Sequence, residues 1–205
     1  MQTVDKFPPL PPDVPLIQGK APLKWLGSLI ARSSGWRIDP VPNIAKAVVV
    51  AAPHSSNWDG VFGVCGAFTL GLQIRWMGKS QLFKWPLSVL FNAFGGIKTD
   101  RSLAAGVVEQ IAAEFDRCDK MWLVLAPEGT RRKVEKWRTG FWHIAKRAGV
   151  PIIPGFLHYP DKRIGFGEAF MPSDDMNADL QRLYDFYRQF RGKNGKTGLP
   201  TSAER

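Results

Sequence analysis

His54 stands five positions before Asp59 in the segment PHSSNWD. An imidazole removes a proton from a hydroxyl near neutral pH when something fixes its tautomer. A carboxylate accepting the Nδ1 proton does this and leaves Nε2 open to a substrate. If Ser56 or Asn57 caps a helix, Asp59 falls in its first turn and the chain can fold His54 back over it. The same residues also fit a surface histidine beside an aspartate that serves the helix dipole, and spacing alone leaves both readings standing. Ser55 and Ser56 are poor nucleophile candidates, since the chain has no G-x-S-x-G elbow. His143 and His158 have no ligand-like spacing with His54, so no metal site is expected.

Two further clusters carry positive charge next to glycine. In FGGIKTDR, Gly95 and Gly96 permit close backbone approach, and Lys98 and Arg101 lie where a strand gives way to a helix. Arg101 can hold a phosphate through its guanidinium fork, or it can pair with Asp100 on a solvated helix start. In APEGTRRKVEKWRTG, Gly129 lets backbone approach a ligand, Thr130 and Arg131 offer donors, and Arg132, Lys133 and Lys136 extend the positive field. Glu128 at that mouth could orient an arginine or accept from a substrate hydroxyl. This density of cations after a buried strand favours an anion site over a plain solvated face.

The elements that must position these clusters alternate. KAVVVAA, IRWMG, GIKT, KMWLVLA, VPIIPGFL and RIGFGEAF read as strands, the most apolar of them as buried ones. WDGVFGVCGAFTLGL reads as a buried core helix, KWPLSVLFNAFGG as a helix or helical turn, and SLAAGVVEQIAAEFDR as an amphipathic helix. TGFWHIAKRAG closes as a helix at Gly149, and DMNADLQRLYDFYRQF is the last one. The expected fold is therefore a single α/β domain, a largely parallel or mixed central sheet flanked by helices. In such a sheet ligands collect beyond the carboxyl ends of the strands, where all three clusters fall. The expected organisation is a Pro-rich extended arm over 1–21, a domain over 22–191 opening on a short helix, and a polar, loose tail over 192–205.

Composition narrows the partners. The chain has 205 residues, 44% of them hydrophobic, and a formal net charge of +10, which favours anionic partners. Eight tryptophans, several beside a basic residue as in Lys24-Trp25, Lys84-Trp85 and Lys136-Trp137-Arg138, suit a half-wet membrane interface. The uncharged run over 60–74 is too short to span a bilayer, which takes ~20 apolar residues. Membrane contact is thus expected to be peripheral, at the inner face of the cell membrane. Cys65 and Cys118 have no framework spacing and no leader peptide is apparent, so a cytoplasmic location is expected. Charge alone also fits a nucleic-acid module, but the cations gather at strand-to-helix mouths and no RNP, helix-turn-helix or zinc-finger pattern occurs. No nucleic-acid partner is expected.

Four segments together resemble the glycerolipid acyltransferases, the group that includes 1-acylglycerol-3-phosphate O-acyltransferase. HSSNWD is similar to that family's H-x-x-x-x-D motif, GGIKTDR to its Gly-x-Ile segment ending in arginine, PEGTR to its third motif and VPIIP to its fourth. They occur in the family's order across 53–154. The resemblance implies that His54 is the general base and Asp59 its orienting partner. Arg101, Glu128, Gly129, Thr130 and Arg131 would form the substrate-binding set for the acceptor's phosphate and glycerol. Val150 to Pro154 would shape the acyl pocket. The implied reaction moves a fatty acyl group from acyl-CoA or acyl-carrier protein to a lysophospholipid hydroxyl at an anionic membrane surface, with no cofactor. Pro53, and Lys98 with Thr99, depart from the usual pattern and leave the acceptor open between lysophosphatidic acid, a lyso-ornithine lipid and another hydroxylated lipid. Hydrolysis of the thioester is the alternative chemistry, since the same base could activate water.

Overall fold

A computed structural model describes residues 7–17, 33–79, 83–85, 88, 91–92, 94–99, 104–130 and 132–203. Seven strands form one sheet: β1 (Arg37–Ile38), β2 (Lys46–Ala51), β3 (Ile74–Lys79), β4 (Gly96–Thr99), β5 (Met121–Leu125), β6 (Ile152–His158) and β7 (Arg163–Phe166). Their order across the sheet is β1-β7-β6-β2-β5-β3-β4. Every neighbouring pair is parallel except β6 and β7, which makes the expected α/β architecture a mixed sheet. The exception has a plain cause. The link between β6 and β7 is a short turn, and a parallel return needs a crossover of a dozen residues or more.

Among the described residues, four longer helices flank the sheet: α1 (Asn57–Leu70), α2 (Ala104–Arg117), α3 (Gly140–Ala148) and α4 (Met176–Tyr187). The central strand β2 reads KAVVVA because both of its faces are covered. Its alternate residues divide between two cores. Val48 and Val50 pack with Ile111 and Phe115 of α2, Phe141 and Ile144 of α3, and Leu183 and Tyr187 of α4. Ala47 and Val49 face the other way, with Ala67 of α1, Trp122, Ile153 and Val14. Because β2 lies between β5 and β6, its carboxyl end opens into a loop at the middle of the sheet.

Of the helix or helical turn anticipated over 84–96, Ser88, Phe91 and Asn92 are helical, and Ser88 N–H donates to the Lys84 carbonyl at 2.9 Å. Residues 86–87, 89–90 and 93 lie outside the described residues, and the short helix after Pro22 falls there almost entirely. Over 7–17, Ile17 N–H donates to the Gly71 carbonyl at 2.9 Å, and Gln73 N–H to the Pro15 carbonyl at 2.8 Å. Two expectations are modified. Helix α1 covers the sheet on one side, but Trp58 and Val61 in its first turns are exposed, so it is not wholly a core helix. The stretch over 192–203, expected to be loose from its polar composition, packs back on the domain and buries Leu199. Its anchoring bonds come mostly from backbone groups, which composition does not reveal.

Candidate active site

The loop leaving β2 turns into α1 through a capping box. Ser56 is the N-cap; its Oγ accepts from Trp58 N–H at 3.2 Å, and Asp59, three residues on, reaches back to Ser56 N–H at 2.6 Å. The same Asp59 Oδ2 accepts from Ser55 N–H at 2.5 Å. This geometry gives the five-residue spacing its meaning. A helix start that draws the aspartate back over its own entry loop brings it to His54, two residues before the cap. His54 Nδ1 lies 3.7 Å from Asp59 Oδ2, beyond normal hydrogen-bond reach and within range to close up around a substrate. The two differ in access: the His54 side chain is 27% exposed, that of Asp59 only 2%.

The other Asp59 oxygen belongs to a residue that spacing could not reveal. Tyr159, just past β6, donates its hydroxyl to Asp59 Oδ1 at 2.5 Å. Its ring packs edge-on to Trp36, with centroids 5.1 Å apart. Burial and the bond to Asp59 both hold the Tyr159 hydroxyl well above its ordinary range, so it remains a donor. The signal in sequence was only that a tyrosine follows the apolar run over 150–157.

Glu128 lies on the next loop, after β5, which pairs with β2. It is buried, and its Oε1 accepts from the His54 backbone N–H at 2.7 Å. Burial pushes its carboxyl up to about 8; the bond from His54 opposes this and the Asp59 carboxylate adds to it. At neutral pH the group is therefore mostly uncharged. Gly129 has φ +62°, and a side chain there would meet the Arg138 guanidinium, Nε lying 2.8 Å from the Cβ position. Thr130 is exposed, and its Oγ1 stands 3.4 Å from Arg132 N–H. Arg101 and Arg131 lie outside the described residues. The structure thus brings His54, Asp59 and Glu128 together, with Gly129 and Thr130 continuing the loop.

Hollows of opposite character border His54. An apolar cavity of about 490 Å³ runs between α1 and the sheet; His54 and Asp59 stand at one end, and Leu72, Ile74 and Trp122 line it further in. From β6 its lining comes from Gly155 to Leu157, one step beyond the Val150–Pro154 segment expected to shape an acyl pocket. Arg132 borders two hollows that both reach His54, one of about 750 Å³ lined mainly by apolar residues such as Met77, Val107 and Phe141, and a smaller one bordered by Glu128, Lys133 and Lys196. Among the described residues no group of three His, Cys, Asp or Glu gathers as for a metal ion.

A histidine and an aspartate thus stand together at the carboxyl edge of a mostly parallel sheet, beside an apolar cavity, in an α/β scaffold. The family model described as Acyltransferase matches residues 37–157, more than half of the chain, and the chain belongs to that family. Its fold is similar to the crystal structure of the 1-acyl-sn-glycerophosphate (LPA) acyltransferase PlsC from Thermotoga maritima. The TM-score is 0.59 at 15% identity, over 80% of this chain and 75% of that one. The curated proteins contain no match to the chain.

Proposed function

We propose that this acyltransferase moves a fatty acyl group from acyl-CoA or acyl-carrier protein to the free hydroxyl of a lysophospholipid, 1-acylglycerol-3-phosphate being the first candidate. The observation that carries the reading is the position of His54 where an apolar cavity meets a cation-bordered hollow. An acyl chain enters the cavity between α1 and the sheet, which places its thioester carbonyl beside the imidazole. His54 Nε2 takes the proton of the acceptor hydroxyl while Asp59 holds the ring from the Nδ1 side. The hydroxyl oxygen bonds to the thioester carbon, the C–S bond breaks, and the imidazolium returns its proton to the leaving thiolate. The thioester is already activated, so the chemistry requires no cofactor. Arg101, Gly129, Thr130 and Arg131 are the proposed contacts for the acceptor's phosphate and glycerol. Glu128 acts through its bond to the His54 backbone and by offering a carboxyl to a substrate hydroxyl. The reaction takes place at an anionic membrane surface that the chain contacts without spanning; no helix among the described residues is long and apolar enough to cross a bilayer.

The test is release of free thiol from a long-chain acyl-CoA across a panel of lyso-lipid acceptors, with products identified by mass spectrometry. Transfer to lysophosphatidic acid, lost by about a thousandfold in His54→Ala with an unchanged melting temperature, is the expected result. Transfer to a lyso-ornithine lipid alone would change the acceptor, and release without any acceptor would make the enzyme a hydrolase. Undiminished transfer by His54→Ala would end the proposal.

A further inference from the structure

The segment after α4 lies beyond the residues that match the family, 37–157. It carries Arg191, Lys193 and Lys196, with no acidic residue between Asp185 and Glu204. Its backbone closes a small loop: Gly192 N–H donates to the Lys196 carbonyl at 2.9 Å and Gly195 N–H to the Gly192 carbonyl at 3.0 Å. That loop is tied to the residue next to His54, because Lys193 N–H donates to Ser55 Oγ at 2.9 Å. Further along, Trp137 Nε1 donates to the Gly198 carbonyl at 3.0 Å, and Thr201 N–H to the Val134 carbonyl at 3.0 Å. Gly198 is required where it stands. Its φ is +73°, and a Cβ there would come within 2.6 Å of Glu128 Oε1 and 2.7 Å of Pro53 Cβ.

Between this segment and the loops after β2 and β5 is a hollow of about 450 Å³, bordered by His54, Ser55, Glu128, Arg132, Lys133 and Lys196. Three cations from two separate segments meet one carboxyl, and that carboxyl is mostly uncharged at neutral pH because it is buried. The hollow is large enough for a phosphorylated head group rather than a bare ion. An uncharged acyl chain has the apolar cavity on the other side of His54, so the polar hollow suits the charged portion of a substrate. Lysines act on phosphate as point charges and an arginine adds a planar fork.

We propose that this hollow is a phosphate subsite whose outer wall is supplied by the C-terminal segment. Which substrate fills it rests on the acyl-transfer reading: the phosphate belongs to the acceptor head group or to the donor's coenzyme A. The loop's own bonds use the Lys196 backbone, so its side chain can be changed while the loop is kept.

Calorimetric titration of the full chain with glycerol 3-phosphate and with coenzyme A reads the subsite without turnover. Lys196→Glu is expected to weaken one probe about tenfold, and the probe affected identifies the source of the phosphate. KM for the corresponding substrate should rise by about the same factor, with kcat within about twofold. Lys196→Gln, expected to lose about threefold, covers the case in which glutamate disturbs the loop. Lys120→Glu makes the same charge change beside the opposite, amino edge of the sheet and should bind both probes normally. Wild-type-like binding by both Lys196 variants, equal weakening by Lys120→Glu, or no binding of either probe to the wild type would overturn the subsite. A Lys196-dependent probe in a protein that transfers acyl groups to no acceptor would keep the subsite and remove the acyl-transfer reading.

Discussion

Asp59 accepts from two backbone N–H groups and from the Tyr159 hydroxyl, so its carboxylate is aimed before any substrate arrives. A hydrogen bond to a charged group contributes about 1.5–3 kcal/mol. Removing the one from Tyr159 leaves Oδ1 unheld, so that only the two backbone N–H groups on Oδ2 still aim the carboxylate at His54. Tyr159→Phe is therefore expected to lower kcat by about tenfold, with KM for both substrates unchanged. The ring should keep its contacts with Trp36 and Phe62 and the melting temperature should move by only a few degrees. A melting shift without a kcat effect would reduce Tyr159 to packing. The contrast between the two partners of Asp59 explains what could be read in advance. His54 was legible because a capping box is a local device and its geometry follows from spacing. Tyr159 lies far along the chain, and only the pairing of β6 with β2 brings it over the site.

The apolar cavity is a property of α1 as an element. Gly60, Gly63 and Gly66 recur along the helix and border the cavity with Val64 and Ala67. At Gly63 an added Cβ would meet nothing within 4 Å. At Gly60 and Gly63 the absent side chains leave space open beside the helix, although each glycine costs about 1 kcal/mol of helix propensity relative to alanine. Gly63→Leu restores propensity and fills space, so thermal stability should hold or rise. Overfilling a packed apolar site costs about 1–3 kcal/mol, and turnover of the longest acyl donors should fall roughly 5- to 150-fold while short donors are spared. Uniform loss across chain lengths would place the acyl group elsewhere. The elements were legible where burial on both faces of the sheet forced apolar runs, as in β2 and β5. The segment over 192–203 was not, because its docking uses backbone donors and glycines rather than an apolar pattern.

At the scale of the whole molecule, a net charge of +10 coincides with large apolar side chains left in the open. Trp58 is 51% exposed, Val61 42% and Trp85 84%, and Lys193 Nζ stands 5.3 Å over the Trp58 ring. Rings that need both an apolar and a wet neighbour, set among cations, fit the headgroup layer of an anionic bilayer. The proposed substrates are themselves lipids, so an acceptor would enter from that layer beside the α1 end of the cavity. Co-sedimentation with phosphatidylglycerol vesicles should show binding that weakens as salt rises and the Debye length shortens from tens of ångströms to a few. Introducing Val61→Asp together with Trp85→Asp should reduce it by at least about tenfold, since a buried aromatic accounts for a few kcal/mol. Neither residue belongs to the His54–Asp59 pair, so turnover of a short-chain acceptor free in solution should be unaffected. Equal binding to neutral phosphatidylcholine vesicles, or a double variant that sediments like the wild type, would show that these side chains do not meet the membrane.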